Sequence, residues 1–452
     1  MYNRQLSFVA SLILSLSVLG GAGTDFTSVS VSADGKLLSS DGATVSQIIS
    51  SEDNRGRPYL RFSYKPDREG QCFHLTVKGL RPHNWVVSHG GWMLGTWTFE
   101  QLSTGIDLGA QDAGTCEIGK RGGPRKPDDW SEWLAMLRSV KSTFDGTMQP
   151  CYFWAPVRAK DMAVPLIVGL HTWSGDWHHT TSYASVLNFA KKNGWAMIGP
   201  NYRGANDHVD ACGGDAAIQD IIDAVDFAKR EVRIDPKRIY IIGGSGGGHM
   251  ALLMAGRHPE IWAGCVAFCP ISDLSRWYSE SKMNHPGRDP EYAQMMESVC
   301  GGNPEDKPEE YAKRSPLTWL QNARRAGVPV YIATGIHDGW TGSVPVGHAI
   351  RAYNALCKTE DLIDESAIEQ IETSQSVPLD VSKEEVVDPF YDSRVFVRLR
   401  RTSGKVRLTL FEGGHGGNFA AGFDFLSRQI QGGAVVWNLP VAATGKEEKL
   451  AK

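Results

Sequence analysis

Two periodicities divide the chain. From about residue 25 to 130, apolar and polar positions alternate in short runs, such as Tyr59-Leu60-Arg61-Phe62-Ser63-Tyr64 and Cys72-Phe73-His74-Leu75-Thr76-Val77, separated by Gly, Pro, Asp and Asn. Period-two alternation broken by turn residues predicts half-buried strands, and so a small β-rich domain over 25–130. After the basic, proline-containing stretch Lys120 to Lys126, the segment Trp130 to Lys141 reads as a helix. From about residue 150, unbroken apolar runs alternate with helical segments, the signature of βαβ units around a mainly parallel sheet. The predicted strands are Pro165 to Leu170, Trp195 to Ile198, Arg238 to Ile242, Gly264 to Phe268, Val328 to Thr334 and Val406 to Phe411. Helices are expected from Ser182 to Lys192, stopped by Gly194, and around Met250 to Gly256. Between them Ile218, Ile221, Ile222, Val225 and Ala228 share one helical face, with Asp220, Asp223 and Asp226 turned to water. The expected fold class is therefore α/β over residues 131–440, followed by a charged tail over 441–452.

The start of the chain carries a different signal. Arg4, an apolar run from Leu6 to Leu19 and the small residues Gly20-Gly21-Ala22-Gly23 predict a signal peptide over residues 1–24 and a secreted or periplasmic protein. The run is too short to cross about 30 Å of hydrocarbon comfortably, so no stable membrane insertion is expected once it is removed. Export permits disulfides, and Cys212 and Cys300 each precede a Gly-Gly in presumed loops, but pairing cannot be read from spacing. The eight cysteines contain no CxxC pair and no zinc-type spacing, so neither a metal site nor a cofactor is expected. Cys265 and Cys269 lie in an apolar run and read as buried thiols rather than ligands. A formal net charge of -4 offers no basic patch for nucleic acid or an anionic membrane. A small or neutral substrate is the partner this balance leaves.

Candidate chemistry centres on Gly243-Gly244-Ser245-Gly246-Gly247, which follows a predicted strand and opens a predicted helix. This is the G-x-S-x-G elbow in the context that motif requires, with the serine hydroxyl raised above the sheet edge. A Gly-rich phosphate loop is excluded, since neither G-x-x-x-x-G-K-[ST] nor G-x-G-x-x-G is present. A serine needs a base and an orienting acid, in the chain order Ser, Asp, His. Asp338 in Thr334-Gly335-Ile336-His337-Asp338 follows one strand, and His415 in Gly413-Gly414-His415-Gly416 follows another. Asp361 and Asp364, the rival acids, sit in a polar stretch; His249 lies one turn into the helix and faces away; His171 at a strand end shapes the oxyanion region. The expected oxyanion donors are the N–H groups of Gly246 and of Trp173, the latter in the loop His171 to Trp177.

These stretches, with Pro200-Asn201-Tyr202-Arg203-Gly204, Asp235-Pro236-Lys237-Arg238-Ile239-Tyr240 and Ser315-Pro316-Leu317, resemble the catalytic domain of the prolyl oligopeptidase family over roughly residues 150–430. The resemblance implies an α/β-hydrolase fold and a triad of Ser245, Asp338 and His415. The sequence departs from the family pattern in three ways. About 100 residues precede the catalytic part, too few for the β-propeller common in the family, which needs at least four blades of about 40 residues. The oxyanion loop reads His171-Thr172 where the family has His-Gly, and about 35 residues from Lys358 to Arg394, rich in Asp and Glu, form an apparent surface insertion.

The triad predicts acyl transfer through an acyl-enzyme without naming the acyl group. Trp177, Trp277 and Trp340 lie near predicted catalytic loops and suggest aromatic walls for substrate. With export and no propeller, they favour an exported hydrolase of carboxylic esters on carbohydrate, a small-molecule or polysaccharide ester. The alternative is a propeller-less serine peptidase of the same family, for which Glu309-Glu310 is the candidate anchor for a peptide terminus.

Overall fold

The apolar runs become strands buried on both faces. In this computed structural model Val164–Leu170, Ala196–Pro200, Gly264–Phe268 and Val330–Gly335 are buried at every position, as strands covered by helices on both sides must be. The structure describes residues 26–437 apart from 33–35, 42, 53–57, 68–71, 79, 81–83, 90–91, 111–113, 120–129, 382–387 and 392–394. The predicted signal peptide, the basic link and the tail thus lie outside the described residues. No helix among the described residues is long and apolar enough to cross a membrane.

Two compact units make up the chain, residues 1–122 and 123–452. The first is β-rich: strands Phe26–Ser32, Leu37–Asp41, Cys72–Lys78 and Ile106–Ala110 form one sheet, and Ala43–Glu52, Pro58–Pro66, Asn84–His89, Trp92–Thr98 and Gly114–Gly119 another. Its alternating pattern works as read, since Leu60, Phe62, Tyr64, Phe73, Leu75 and Val77 all point into one core.

The second unit is built on a nine-stranded sheet. Side by side run Leu137–Lys141, Met148–Trp154, Ala196–Pro200, Val164–Leu170, Ile234–Gly244, Gly264–Phe268, Val330–Gly335, Val406–Phe411 and Val397–Ser403. The six strands from Ala196–Pro200 to Val406–Phe411 are parallel, and antiparallel strands close both edges. Alternate residues feed opposite layers: Ile241, Cys265 and Ile332 pack with helices Asp215–Glu231, Gly246–Arg257 and Gly347–Leu356, while Ile242, Val266 and Tyr331 pack with Thr180–Asn193 and Phe419–Ser427. Gly194 ends the helix Thr180–Asn193 in the left-handed conformation at φ 65°, as its place in the sequence predicts. A third cluster joins the helices Leu274–Ser281, Pro290–Cys300 and Pro308–Arg314 to Trp173.

Three local expectations are corrected. The predicted helix Trp130 to Lys141 stops at Met136, because Leu137–Lys141 pairs with Met148–Trp154 as a hairpin and ladder bonds outweigh helix propensity. Asp220 and Asp223 do not face water. Arg203 Nε donates to Asp220 Oδ2 at 2.7 Å, and the Thr143 N–H donates to Asp223 Oδ2 at 2.6 Å. Within the Lys358 to Arg394 stretch, read as a surface excursion, the helix Glu365–Ser374 instead sends Ile368 and Ile371 into the main core. Cys151, Cys212, Cys265, Cys269, Cys300 and Cys357 are free thiols.

Candidate active site

Ser245 stands between the strand Ile234–Gly244 and the helix Gly246–Arg257, with its backbone at φ 58° and ψ -121°. Such a conformation costs a non-glycine residue about 1–3 kcal/mol and persists only where its surroundings enforce it. Here the enforcement is close packing of glycine. A Cβ on Gly243 would lie 2.3 Å from the Gly247 carbonyl oxygen, and one on Gly247 would lie 2.7 Å from that of His171. The Ser245 N–H donates to the Phe268 carbonyl at 2.8 Å, which ties the elbow to the neighbouring strand.

Asp338 follows the strand Val330–Gly335 and is 2% exposed. Its carboxylate accepts from Thr334 Oγ1 at 3.1 Å and from the Gly339 N–H at 3.0 Å. His415, in the loop after Val406–Phe411, places Nδ1 2.9 Å from Asp338 Oδ2 and 3.0 Å from Oδ1. That pairing leaves Nε2 as the nitrogen available to the cavity. Burial of the ring acts to lower the His415 pKa, but hydrogen bonding to Asp338 and Cys269 outweighs it and raises the imidazole well above its usual range. His337, beside Asp338 in sequence, turns elsewhere and bonds Gln375 and Glu412, each at 2.8 Å.

A cavity of about 470 Å³ opens over these groups, within the usual size of a small-molecule site. Ser245, Cys269 and His415 line it, with apolar walls from Leu170, Trp173, Phe268, Tyr292 and Phe419 and hydroxyls from Thr172, Ser174 and Ser343. No Asp, Glu, Lys or Arg is among its lining residues. Trp173 meets the helix start directly: a Cβ on Gly246 would lie 2.4 Å from the Trp173 backbone nitrogen. The N–H of Gly246, first in its helix, has no intrahelical acceptor, so two backbone donors stand together beside Ser245. His171 holds this loop, its ring stacked on Tyr202 at 3.9 Å and its Nε2 2.8 Å from the Asn201 carbonyl. His249 is buried, with Nε2 2.7 Å from the Arg314 carbonyl.

The three tryptophans read as substrate walls do not line the cavity. Trp277 is buried and donates Nε1–H to the Ser343 carbonyl at 2.9 Å. Trp340 donates to the Glu372 carbonyl at 2.8 Å, and Trp177 packs on Tyr152 and His178. Glu309 and Glu310 also stand outside it, on the helix Pro308–Arg314, where Glu310 pairs with Arg314. Sequence reasoning missed Cys269 and Gly342. Cys269 was findable: it follows Phe268, which pairs with Gly244, and ligands gather at the carboxyl ends of neighbouring parallel strands. Gly342 carried no local signal, although a Cβ there would lie 2.2 Å from His415 Cβ and 2.5 Å from Asp338 Oδ1.

Residues 181–370 match the model of the prolyl oligopeptidase family. Among similar sequences, the acylamino-acid-releasing enzyme of Rattus norvegicus is 26% identical over 207 residues, which cover 43% of this chain and 26% of that protein. The uncharacterized peptidase YuxL of Bacillus subtilis (strain 168) is 26% identical over 234 residues, 48% of this chain and 32% of the relative. This chain therefore spans between a quarter and a third of these relatives' length. Among solved structures, an acylaminoacyl peptidase of Pyrococcus horikoshii aligns with 87% of this chain and 57% of its own at 14% identity and a TM-score of 0.46. Residues 181–370 thus form a prolyl oligopeptidase family domain, set within the α/β unit described above.

Proposed function

We propose that this protein is a serine hydrolase, a serine-type peptidase acting on an amino-blocked residue, with Ser245 as nucleophile, His415 as general base and Asp338 as the carboxylate that orients it. The observation that carries this reading is the cavity itself, whose described lining holds Ser245 and His415 but no Asp, Glu, Lys or Arg. A peptidase that grips a free amino terminus needs a buried carboxylate to pair with the ammonium, whereas an N-acylated residue brings no charge and suits apolar walls with a few hydroxyls. The relatives named as acylamino-acid-releasing enzymes fit this choice. The carbohydrate-ester reading, which rested on export and a missing propeller as well as on aromatic walls, loses the walls, because Trp177, Trp277 and Trp340 do not line the cavity.

In the reaction, Ser245 Oγ attacks the scissile carbonyl carbon while its proton passes to His415 Nε2, and Asp338 stabilises the imidazolium through Nδ1–H. The carbonyl oxygen, now an oxyanion, accepts hydrogen bonds from the N–H groups of Gly246 and Trp173. His415 then gives the proton to the leaving amine, and water repeats the sequence on the acyl-enzyme. The test is turnover by the purified full chain of an N-acetylated amino-acid anilide, the same anilide with a free amine, and acetylated xylan, with Ser245→Ala as the blank. Turnover of the blocked anilide above the free-amine one is expected. Hydrolysis of the xylan ester alone, or activity surviving in Ser245→Ala, would overturn the reading.

A further inference from the structure

We propose that Cys269, Asp338 and His415 form a binding site for a zinc-type divalent cation, and that a cation held there shuts the active site. The Cys269 Sγ, an Asp338 carboxylate oxygen and a His415 ring nitrogen all lie within 4.8 Å of one another. A tetrahedral Zn²⁺, with bonds of about 2.0–2.3 Å, holds its ligand atoms roughly 3.3–3.6 Å apart, so these three donors need only small movements to enclose one. Thiolate, imidazole and carboxylate together favour Zn²⁺ and its stand-in Co²⁺ over Mg²⁺ or Ca²⁺, which prefer oxygen alone. Three protein ligands leave a fourth position towards the cavity, which both Cys269 and His415 line and through which a cation can enter.

The ligands are also held from behind. Cys269 is fixed in the left-handed conformation at φ 46°, its N–H donating to the Ala333 carbonyl at 2.9 Å and its thiol to the Gly416 carbonyl at 2.7 Å. Asp338 is oriented by Thr334 and Gly339, the kind of outer support that fixes metal ligands. Spacing along the chain conceals the site, because its ligands come from the ends of three different strands. Uptake of the cation would release the thiol proton to solvent, and any further proton displaced from the chosen imidazole nitrogen. Ligation at Nε2 would take the lone pair that serves as base; ligation at Nδ1 would break the contact with Asp338. Either leaves Ser245 without its proton acceptor.

Binding does not depend on the proposed reaction, whereas the shut-off rests on His415 as its base, so the two are read separately. Binding is measured by titrating Co²⁺ into the full-length wild type and into Ser245→Ala, which holds the ligands but lacks turnover. A thiolate-to-cobalt charge-transfer band saturating at one ion per chain, displaced by Zn²⁺, is expected in both. It should be absent from Cys269→Ala and Cys269→Ser, whose folding is checked by thermal melting. Shut-off is measured as inhibition by Zn²⁺, reversed by EDTA, each variant against its own metal-free rate. Loss of an outer-shell partner alone costs about 10–100-fold in metal affinity, so Cys269→Ala and Cys269→Ser should need at least ten times more Zn²⁺. No band in the wild type, an equal band in the Cys269 variants, or a band with undiminished turnover would overturn the proposal. Activity retained by Ser245→Ala would sink the proposed mechanism instead and leave the cobalt result standing.

Discussion

In the proposed mechanism the imidazole of His415 is useful only while Asp338 holds it, and the two residues meet across 77 positions of sequence through bonds of 2.9 and 3.0 Å. Asp338→Asn keeps the shape but replaces one acceptor oxygen with a donor, which favours the wrong imidazole tautomer. A fall in kcat of about 10⁴-fold is expected, with residual turnover above the Ser245→Ala blank; a loss below tenfold would remove Asp338 from the triad. Gly342 tests the same contact sterically. Its added Cβ in Gly342→Ala would press on both His415 and Asp338, and a displacement of about 1 Å at a reacting group costs on the order of 100-fold in rate. Steady-state kinetics should show the loss in kcat, while a melting curve stays cooperative; wild-type kcat would show that the loop gives way freely. Ser245, Asp338 and His415 were legible in the sequence because each sits just past a strand, in a Gly-marked turn. Gly342 was not, since close approach between distant segments leaves no trace in local pattern.

At the scale of the element, the same rule separates what could be read from what could not. Strands buried on both faces announce themselves as unbroken apolar runs, and those from Val164–Leu170 to Val406–Phe411 lie within a few residues of their predicted bounds. Edge and insertion elements depend on neighbours the sequence does not name. Asp220 looked like a solvated position until Arg203 from another loop arrived to neutralise it at 2.7 Å. The helix Glu365–Ser374 looked polar because its buried face is only Ile368 and Ile371, while Glu365 and Glu372 are spent on Arg351. If that helix is part of the core, Ile371→Ala should lower the unfolding free energy by about 2–5 kcal/mol. A surface excursion would change it by no more than about 0.5 kcal/mol, and denaturant unfolding distinguishes the two. The backbone of Glu372 also receives the Trp340 indole N–H, so kcat of Ile371→Ala should fall with stability rather than remain intact.

For the whole molecule, the division into residues 1–122 and 123–452 coincides with a division of cores. Among the described residues, Val29 to Ile118 supply one apolar cluster, and the clusters on the two faces of the nine-stranded sheet draw on residues after Gly122. Every residue lining the active-site cavity, from Leu170 to Phe419, also belongs to the second unit. A unit of this size, with its own sheet covered on both faces, buries enough apolar surface to fold alone. A chain comprising residues 123–452 should therefore melt cooperatively and hydrolyse a small N-acetylated anilide with the kcat of the full chain. Cooperative melting with kcat lost would mean that the first unit completes the site; failure to melt cooperatively would mean that it stabilises the second. With kcat retained, any change confined to longer substrates would assign the β-rich unit to substrate selection, since nothing in the chemistry at Ser245 would have been removed.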